Sequence, residues 1–310
     1  MQAAPGLTLV GLGGTVRQLA RIDQKLKLYP LDKVHAYILT RDAIEAIIEL
    51  LAVRNRRERE QVPGLKGDRA DVTLAGAVII SQLMTQSRFT NLLVSGHGLR
   101  EGLFYANFLN DTNPPLLPNP REFSVYSLAR TSQYEEEHAE NVARHSLSLF
   151  DQLAALHGHG TWERELLRYA AILHDIGVQV GYYDHHKHSA YLVLNGSLLG
   201  FSHREIALIA YLVRNHRKGL ADIDEYKAVL TSSDALRIEQ LSALLRIAEY
   251  LERSKSGVVR RLRVHIAPEL ITVAVEAVGD ATVEIWDTNR RTSLFERAFG
   301  RSIRIVEGML

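Results

Sequence analysis

Hydrophobic and polar positions divide the chain into regions with different periodicities. In residues 7–110, short apolar runs that end in glycine alternate with segments whose apolar residues are three and four apart, which predicts alternating strands and helices. Strands are expected near residues 7–11 and 91–95, in "LTLVGLGGT" and "TNLLVSG". Helices are expected in "VRQLARIDQKL", in "TRDAIEAIIELLAV" with Thr40 as its N-cap, at the end of "VPGLKGDRADVTLAGAVIISQLM", and in "GLREGLFYANFL".

The remaining two-thirds of the chain changes character twice. Residues 111–123 are rich in Pro and Asn and predict a linker, and residues 124–257 carry almost only helical periodicity, in about six segments. In residues 258–310, apolar and polar residues alternate with a period of two in "ITVAVEAVGDATVEIWD", on both sides of Gly-Asp, which predicts a β-hairpin. A short helix is expected next in "RRTSLFERAFG", and a last strand in "SIRIV". The prediction is therefore an α/β part over 1–110, a linker, an all-α domain and a small α+β tail domain.

Composition narrows the possible partners. Hydrophobic residues make up 46% of the chain, which is ordinary for a globular protein. The formal net charge is +1, so any polyanion must be bound by a local basic patch, and DNA is not an expected partner. The absence of cysteine excludes thiolate metal sites and fits a cytoplasmic location. Residues 1–15 lack the basic region of a signal peptide, and no apolar run approaches the roughly 18 residues of a membrane helix, so no membrane partner is expected.

Candidate chemistry begins with histidines on a helix face. His138 and His145 share the spacing of Val142 and Leu149, so both side chains are predicted to point inward. A single inward histidine is more often a hydrogen-bonded core residue than a ligand, and that interpretation is favoured for His145.

Three more polar residues fall at positions that should be buried. His174 and Asp175 end the helix before Gly177, where two adjacent side chains can approach the same point. Glu249 follows Leu245 by four residues and so lies on an apolar face. Because an unpaired buried carboxylate is costly, we expect His138, His174, Asp175 and Glu249 to converge within about 6 Å around a divalent cation, either Mg, Mn, Fe or Zn.

Other histidines are candidates for a second cation. His186, His188 and His216 are the available ligands, and His188 is favoured because it opens the helix "SAYLVLNG". The others are assumed to be surface residues at helix ends or in turns: His157, His159, His185 and His203.

Two segments are candidates for phosphate binding. The backbone N–H groups of "GLGGT" precede a helix and could cradle phosphate, although a tight strand-to-helix turn explains the glycines equally well. Its residues are Gly11, Gly13, Gly14 and Thr15. The segment "RSKSGVVRRLR" contains five cations and no anion. It could line a path for a phosphate chain, or it could be a basic surface without a ligand. In the first case, four residues of an earlier segment could contribute: Arg214, His216, Arg217 and Lys218. The five cations are Arg253, Lys255, Arg260, Arg261 and Arg263.

These motifs resemble two known sets of proteins. The set His138, His174-Asp175 and Glu249 resembles the HD domain of metal-dependent phosphohydrolases, and "LHDIG", "HHKHSAYLV", "RNHRKG" and "LLRIAEYLERS", in this order, resemble the C-terminal half of the Ppx/GppA family. That family comprises exopolyphosphatases and guanosine pentaphosphate phosphohydrolases. In the N-terminal part, "VGLGGTVRQLARID", "VPGLKGDRADVTLAGAVII" and "SGHGLREGL" resemble the later part of the family's actin-like core. The resemblance implies a partial actin-like (RNase H-like) N-terminal part and an HD-type helical domain.

Two departures from the family pattern define the functional alternatives. Glu249 stands where the HD ligand is usually Asp, and the chain starts after the first lobe, with no Asp-x-Gly-Gly-Gly loop. The favoured hypothesis is a part of a Ppx/GppA-related phosphohydrolase that acts on polyphosphate or a phosphorylated nucleotide such as guanosine pentaphosphate. By itself this part would lack actin-cleft exopolyphosphatase activity.

Two alternatives remain open. One is an autonomous HD-type metal-dependent phosphohydrolase in which His174 and Asp175 are catalytic and Asp175 bridges or orients the attacking water. The other is a non-enzymatic module that binds polyphosphate or nucleotide. An unpaired edge of the small N-terminal sheet would favour a homodimer or a partner chain that supplies the missing lobe.

Overall fold

The computed structural model describes residues 7–220 and 222–308, and the chain divides into two compact units at Pro118/Asn119. The first unit contains a sheet of three short strands: β1 Leu9–Gly11, β2 Ile38–Thr40 and β3 Asn91–Val94. β3 is central, parallel to β1 and antiparallel to β2. Five helices accompany the sheet: α1 Gly14–Leu26, α2 Arg41–Ala52, α3 Arg56–Glu60, α4 Thr73–Ser87 and α5 Leu99–Phe108.

The core of this unit forms between the sheet and α1, α2 and α4, where Leu19, Ile44 and Met84 are fully buried. The predicted strands β1 and β3 and the predicted helices are confirmed, and the Thr40 hydroxyl caps α2 by accepting a hydrogen bond from Ala43 N. The sequence did not predict β2, because its three residues are too few to show an alternation and lead directly into α2.

The second unit begins with seven helices: α6 Pro120–Thr131, α7 Glu136–Gln152, α8 Ala154–His157, α9 Thr161–Leu173, α10 His185–Asn195, α11 His203–Asn215 and α12 Asp234–Tyr250. α12 is buried on nearly all sides and packs against α7, α9 and α11. Extension of the predicted linker to residue 123 is wrong, because α6 already begins at Pro120. Asn119 caps it by accepting a hydrogen bond from Glu122 N, and proline suits a first helical turn.

A second sheet follows in the same unit. Its elements are β4 Val259–Ile266, β5 Leu270–Ala277, α13 Thr282–Asn289, α14 Ser293–Phe299 and β6 Ser302–Glu307. β5 is central, antiparallel to β4 and parallel to β6, and α14 packs against α12. The short helix and last strand predicted near residues 290–306 are confirmed.

The predicted hairpin after residue 270 is wrong in its second half. Residues 271–277 lie in β5, but the antiparallel partner of this strand is β4, and the segment after Gly-Asp is helix α13. Asp280, two residues before the helix begins, accepts a hydrogen bond from Thr282 N. Val283 and Trp286, three residues apart, face solvent, whereas Glu284 is buried. The apolar residues of this segment therefore lie on the exposed face of a helix, and their alternation with polar residues does not mark a strand.

Among the described residues, no helix has both the length and the apolar character needed to cross a membrane.

The start of α12 depends on a buried carboxylate. Asp234 is fully buried, and its carboxylate oxygens accept hydrogen bonds from Arg204, Arg237 and the Thr231 backbone and hydroxyl. Burial would raise the pKa of Asp234, but Arg204 and Thr231 lower it to about 2. Because the folded-state pKa lies below the ordinary value, this interaction stabilises the fold above pH 4 and is lost as the pH falls toward 2.

We therefore expect Asp234→Asn to lower the free energy of unfolding by about 2 kcal/mol at pH 7, because it removes the buried carboxylate that pairs with the half-buried Arg204 and is one of the two partners of Arg237. The difference from the unsubstituted chain should shrink between pH 4 and pH 2, and urea unfolding followed by circular dichroism measures it. Asp151→Asn is the control, since this exposed carboxylate also pairs with an arginine, Arg164, and should contribute less than about 1 kcal/mol. Equal losses in both variants would contradict the prediction.

Candidate metal and phosphate site

Three helices bring four of the predicted ligands together in the second unit. His138 comes from α7, His174 and Asp175 from the end of α9, and Glu249 from the last turn of α12. His174 Nε2 lies 3.2 Å from His138 Nε2 and 3.0 Å from Glu249 Oε2. Glu249 Oε2 is also 3.3 Å from His138 Nε2, so the glutamate carboxylate reaches both imidazoles.

The end of α9 allows adjacent residues to face the same point. α9 ends at Leu173, and Asp175 has left the helical conformation, with φ −105° and ψ 3°. Gly177 then permits a close approach of α10, because a Cβ atom there would lie 2.3 Å from Ser189 N. Gly177 N donates a hydrogen bond to Ser189 Oγ at 2.7 Å, which fixes α10 beside the end of α9.

This approach brings a second group of imidazoles next to Asp175. Asp175 Oδ1 lies 3.1 Å from His185 Nε2 and 3.6 Å from His216 Nε2. The two Nε2 atoms are 3.3 Å apart. Asp175 therefore stands between two groups of potential ligands: His138 with His174 and Glu249, and His185 with His216.

Backbone carbonyls fix the orientation of three of these rings. His174 Nδ1 lies 2.6 Å from Ala171 O, and His216 Nδ1 lies 2.7 Å from Val213 O. His185 Nδ1 lies 2.9 Å from Tyr182 O. A carbonyl can only accept a hydrogen bond, so each Nδ1 carries the proton and each Nε2 turns toward the centre of the cluster. This arrangement is typical of histidine metal ligands.

The electrostatics of the cluster favour bound positive charge. Burial alone would lower the pKa of His174, but the carboxylates of Asp175 and Glu249 raise it to about 9. Burial would raise the pKa of both carboxyls, but the surrounding imidazoles, His174 above all, hold both pKa values well below the ordinary range. Burial lowers the pKa of His216 to about 3, which leaves this ring neutral at pH 7.

The residues fit one or two divalent cations. Asp175 Oδ1 and Glu249 Oε2 are buried without a hydrogen-bond partner, which is costly unless a cation satisfies them. Imidazole nitrogens combined with carboxylate oxygens suit Mn, Fe or Zn better than Mg, which prefers oxygen ligands.

A cavity of about 560 Å³ opens above the cluster, with Asp175, His185 and Glu249 in its wall. Its other walls contain five cations, three tyrosine rings and two further carboxylates, Glu135 and Asp184. The cations are Arg217, Lys218, Arg253, Lys255 and Arg291, and the aromatic rings are Tyr182, Tyr183 and Tyr250. Five cations around a metal-ligand cluster suit a ligand that carries phosphate.

The structure changes several assignments made from the sequence. The predicted surface residue His185, rather than His188, contacts Asp175. His188 shares the face of the exposed Tyr191, and its ring lies near Gly181. The burial of Ala190 and Val193 reveals the inward face of α10, and His186 is in phase with both residues. His186 is buried and lines the cavity.

Further predicted residues lie away from the cluster. His145 is buried, but its Nε2 is 3.9 Å from Glu252 Oε2, and burial lowers its pKa to about 3, as expected for a neutral core histidine. His203, expected at the surface, is buried at the start of α11.

Only part of the predicted basic segment reaches the cavity. Arg253 and Lys255 line it, whereas β4 carries the other three cations as exposed side chains outside the lining: Arg260, Arg261 and Arg263. The loop between α13 and α14 contributes Arg291, which the sequence did not indicate.

The glycines of "GLGGT" serve a tight turn between β1 and α1. A Cβ atom on Gly11 would lie 2.6 Å from Leu92 Cδ2 and 2.7 Å from Val16 Cγ1, so glycine is needed for packing there. Gly13 has φ +94°, which also favours glycine. Phosphate binding by Gly11, Gly13, Gly14 and Thr15 stays a prediction.

Curated relatives resemble most of this chain. The guanosine-5'-triphosphate,3'-diphosphate pyrophosphatase of Aeromonas salmonicida (strain A449) is 28% identical over 271 residues, covering 86% of this chain and 52% of the relative. The protein of the same name from Aeromonas hydrophila subsp. hydrophila is 27% identical over 277 residues, with the same two coverages. The chain thus spans about half the length of these relatives.

Two solved structures from Aquifex aeolicus share short regions with the chain. The crystal structure of a Ppx/GppA family member is 32% identical with a TM-score of 0.32, covering 34% of this chain and 35% of that one. The type II variant of the Aquifex aeolicus Ppx/GppA phosphatase is 33% identical with a TM-score of 0.30, covering 33% and 34%.

Family models match both units. The model of domain III of the Ppx/GppA phosphatases matches residues 121–277, and the model of the Ppx/GppA phosphatase family matches residues 3–111. The first of these contains the whole histidine–carboxylate cluster and spans just over half of the chain. The chain therefore belongs to the Ppx/GppA phosphatase family.

Proposed function

We propose that the second unit is a metal-dependent phosphohydrolase of the HD type, with two divalent cations bound at the histidine–carboxylate cluster. The observation that carries this proposal is the position of Asp175 between two groups of imidazoles, in the wall of a basic cavity. His138, His174 and Glu249 would hold one cation, His185 and His216 the other, and Asp175 both.

The separate roles proposed for the cations, the histidines and the basic residues follow from the geometry. Divalent cations in such a site lower the pKa of a coordinated water and neutralise charge on the phosphoryl group. The carbonyl contacts of His174, His185 and His216 keep the rings aimed at the centre. The basic residues of the cavity attract the phosphate and orient it over the cluster.

The substrate class is a phosphate ester or anhydride, and polyphosphate and phosphorylated nucleotides are the candidates that the family suggests. By name, the Aeromonas relatives act on guanosine-5'-triphosphate,3'-diphosphate. The match of residues 3–111 to the family favours a second candidate function, in which the first unit is part of an actin-like catalytic core. A homodimer, a partner chain that supplies a missing lobe, and a cytoplasmic location remain predictions.

The direct test is metal loading of the purified chain after chelation. We expect two Mn²⁺, Fe²⁺ or Zn²⁺ ions per chain by elemental analysis, and metal-dependent release of nitrophenol from bis(4-nitrophenyl) phosphate or 4-nitrophenyl phosphate. Orthophosphate release from polyphosphate and from guanosine-5'-triphosphate,3'-diphosphate then compares the natural candidates. A chain that retains no divalent ion after loading and desalting would rule out this function.

A further inference from the structure

We propose that Lys255 is a catalytic residue that binds a nonbridging oxygen of the phosphoryl group undergoing hydrolysis, a role that rests on the function proposed above. Lys255 follows α12 in the segment that leads to β4, and its side chain enters the cavity above the cluster.

The ammonium group of Lys255 is next to the central carboxylate. Its Nζ lies 3.5 Å from Asp175 Oδ2 and 2.9 Å from Glu135 Oε2. Within the described part of the chain, no other lysine or arginine of the cavity has an ion pair with a carboxylate of the cluster. Lys218 pairs with Asp184 at 3.4 Å.

The arginines of the cavity contact other groups. Arg253 and Arg291 both pair with Asp287, at 3.6 and 3.5 Å. Arg217 lies over the Tyr182 ring, at 5.5 Å from its centroid, and its Nη1 is 3.3 Å from His185 Nδ1, the ring nitrogen that does not face Asp175. These contacts suit an outer role in attracting an anion, whereas Lys255 is placed at the reacting group.

The backbone holds Lys255 in a conformation that lysine rarely adopts. Its φ is +57°, in the left-handed region, which costs a residue with a side chain about 1–2 kcal/mol. Two buried carboxylates fix the loop: Glu252 accepts a hydrogen bond from Gly257 N at 2.9 Å, and Glu284 accepts one from Ser254 N at 3.2 Å. Such a conformation persists only where the surroundings enforce it, which is common at functional sites.

The hydrogen-bonding capacity of the ammonium fits this role. An ammonium has three donors, and Glu135 and Asp175 take two of them, which leaves one for a ligand. The Glu135 side chain is 59% exposed, so its pairing with Lys255 is weak and a phosphate oxygen can displace it.

The chemistry of hydrolysis places charge where Lys255 can act. A bond forms between a water oxygen and phosphorus, the bond from phosphorus to the leaving oxygen breaks, and the proton released by the water goes to that oxygen or to solvent. Lys255 keeps its proton throughout and stabilises the charge of the nonbridging oxygen. Fixed donors of this kind contribute on the order of 10²–10³ in rate.

Lys255→Gly is the informative variant, because glycine adopts the left-handed conformation without cost and removes only the side chain. We expect the Mn²⁺-loaded variant to keep its two ions and its melting temperature. Its affinity for orthophosphate, measured by calorimetry, should fall about 10-fold or more, and kcat for bis(4-nitrophenyl) phosphate should fall on the order of 10²-fold. Lys255→Arg should recover part of the phosphate affinity. Lys227→Gly, at an exposed lysine outside the cavity, is the control for loss of a lysine side chain.

The outcomes separate this proposal from the one on which it rests. An unsubstituted chain that binds none of Mn²⁺, Fe²⁺ and Zn²⁺ overturns the proposed function and the role of Lys255 with it. A Mn²⁺-loaded Lys255→Gly chain with undiminished orthophosphate affinity overturns the role of Lys255 alone. Loss of an ion in Lys255→Gly also overturns it, because the side chain would then act on metal binding rather than on phosphate.

Discussion

Asp175→Asn should release both cations and lower phosphohydrolase activity by a factor on the order of 10³ or more. Asp175 is the residue that faces both groups of imidazoles, with Oδ1 3.1 Å from His185 Nε2 and 3.7 Å from His174 Nε2. Asparagine keeps the size of the side chain but removes its negative charge and one of its two acceptor oxygens. Elemental analysis after desalting and the rate of bis(4-nitrophenyl) phosphate hydrolysis measure the two effects.

The fold should survive this change, because asparagine removes a buried charge rather than packed volume. Circular dichroism and thermal unfolding of the variant verify this point. The exposed Asp151→Asn, outside the cavity, should retain both ions and full activity. Retention of two ions by Asp175→Asn would show that Asp175 does not bridge them.

His185→Ala should remove one of the two cations and lower activity by a factor on the order of 10². The second group of ligands consists of His185 and His216 together with the shared Asp175, so loss of one imidazole leaves that position with two protein ligands. The first group keeps His138, His174 and Glu249, and its cation should remain.

His188→Ala, on the same helix and three residues away, is the matched control. Its ring lies near Gly181 and makes no ion pair with Asp175 in the described structure, so both cations and full activity should be kept. The opposite result, with a cation lost from His188→Ala and none from His185→Ala, would restore the assignment that the sequence favoured.

Local pattern was sufficient to predict that the first group of candidate ligands converges. The row of His138 with Val142 and Leu149 identifies the inward face of α7, and the spacing of Leu245 and Glu249 places a carboxylate on the buried face of α12. The helix end before Gly177 explains how two neighbouring residues can face one point. Each of these features depends only on helical periodicity or on a helix terminus, which the sequence records directly.

The second group depended on contacts that the sequence does not record. Between α9 and α10 the chain passes through a short 3₁₀ turn at residues 176–179 and a left-handed residue, Asp184. The rotation of α10 is set by this connection and by the contact of Gly177 with Ser189. The stretch "HHKH" contains three histidines, so a change of a single residue in that rotation selects a different one. The local pattern favours His188, whereas the packing of α10 brings His185 to Asp175.

By itself, the sequence determined the family, most of the helices, the strands β1, β3 and β6, and the convergence of four candidate ligands, because these follow from local periodicity and from motifs. The four candidates are His138, His174, Asp175 and Glu249. Only the tertiary structure decided that β5 pairs with β4 and that residues 282–289 are helical, because a strand's partner depends on long-range contacts. Long-range packing also decided which cations surround the cavity: Arg291 is more than 100 residues from Asp175 along the chain, and buried Glu284 helps to fix the Lys255 loop.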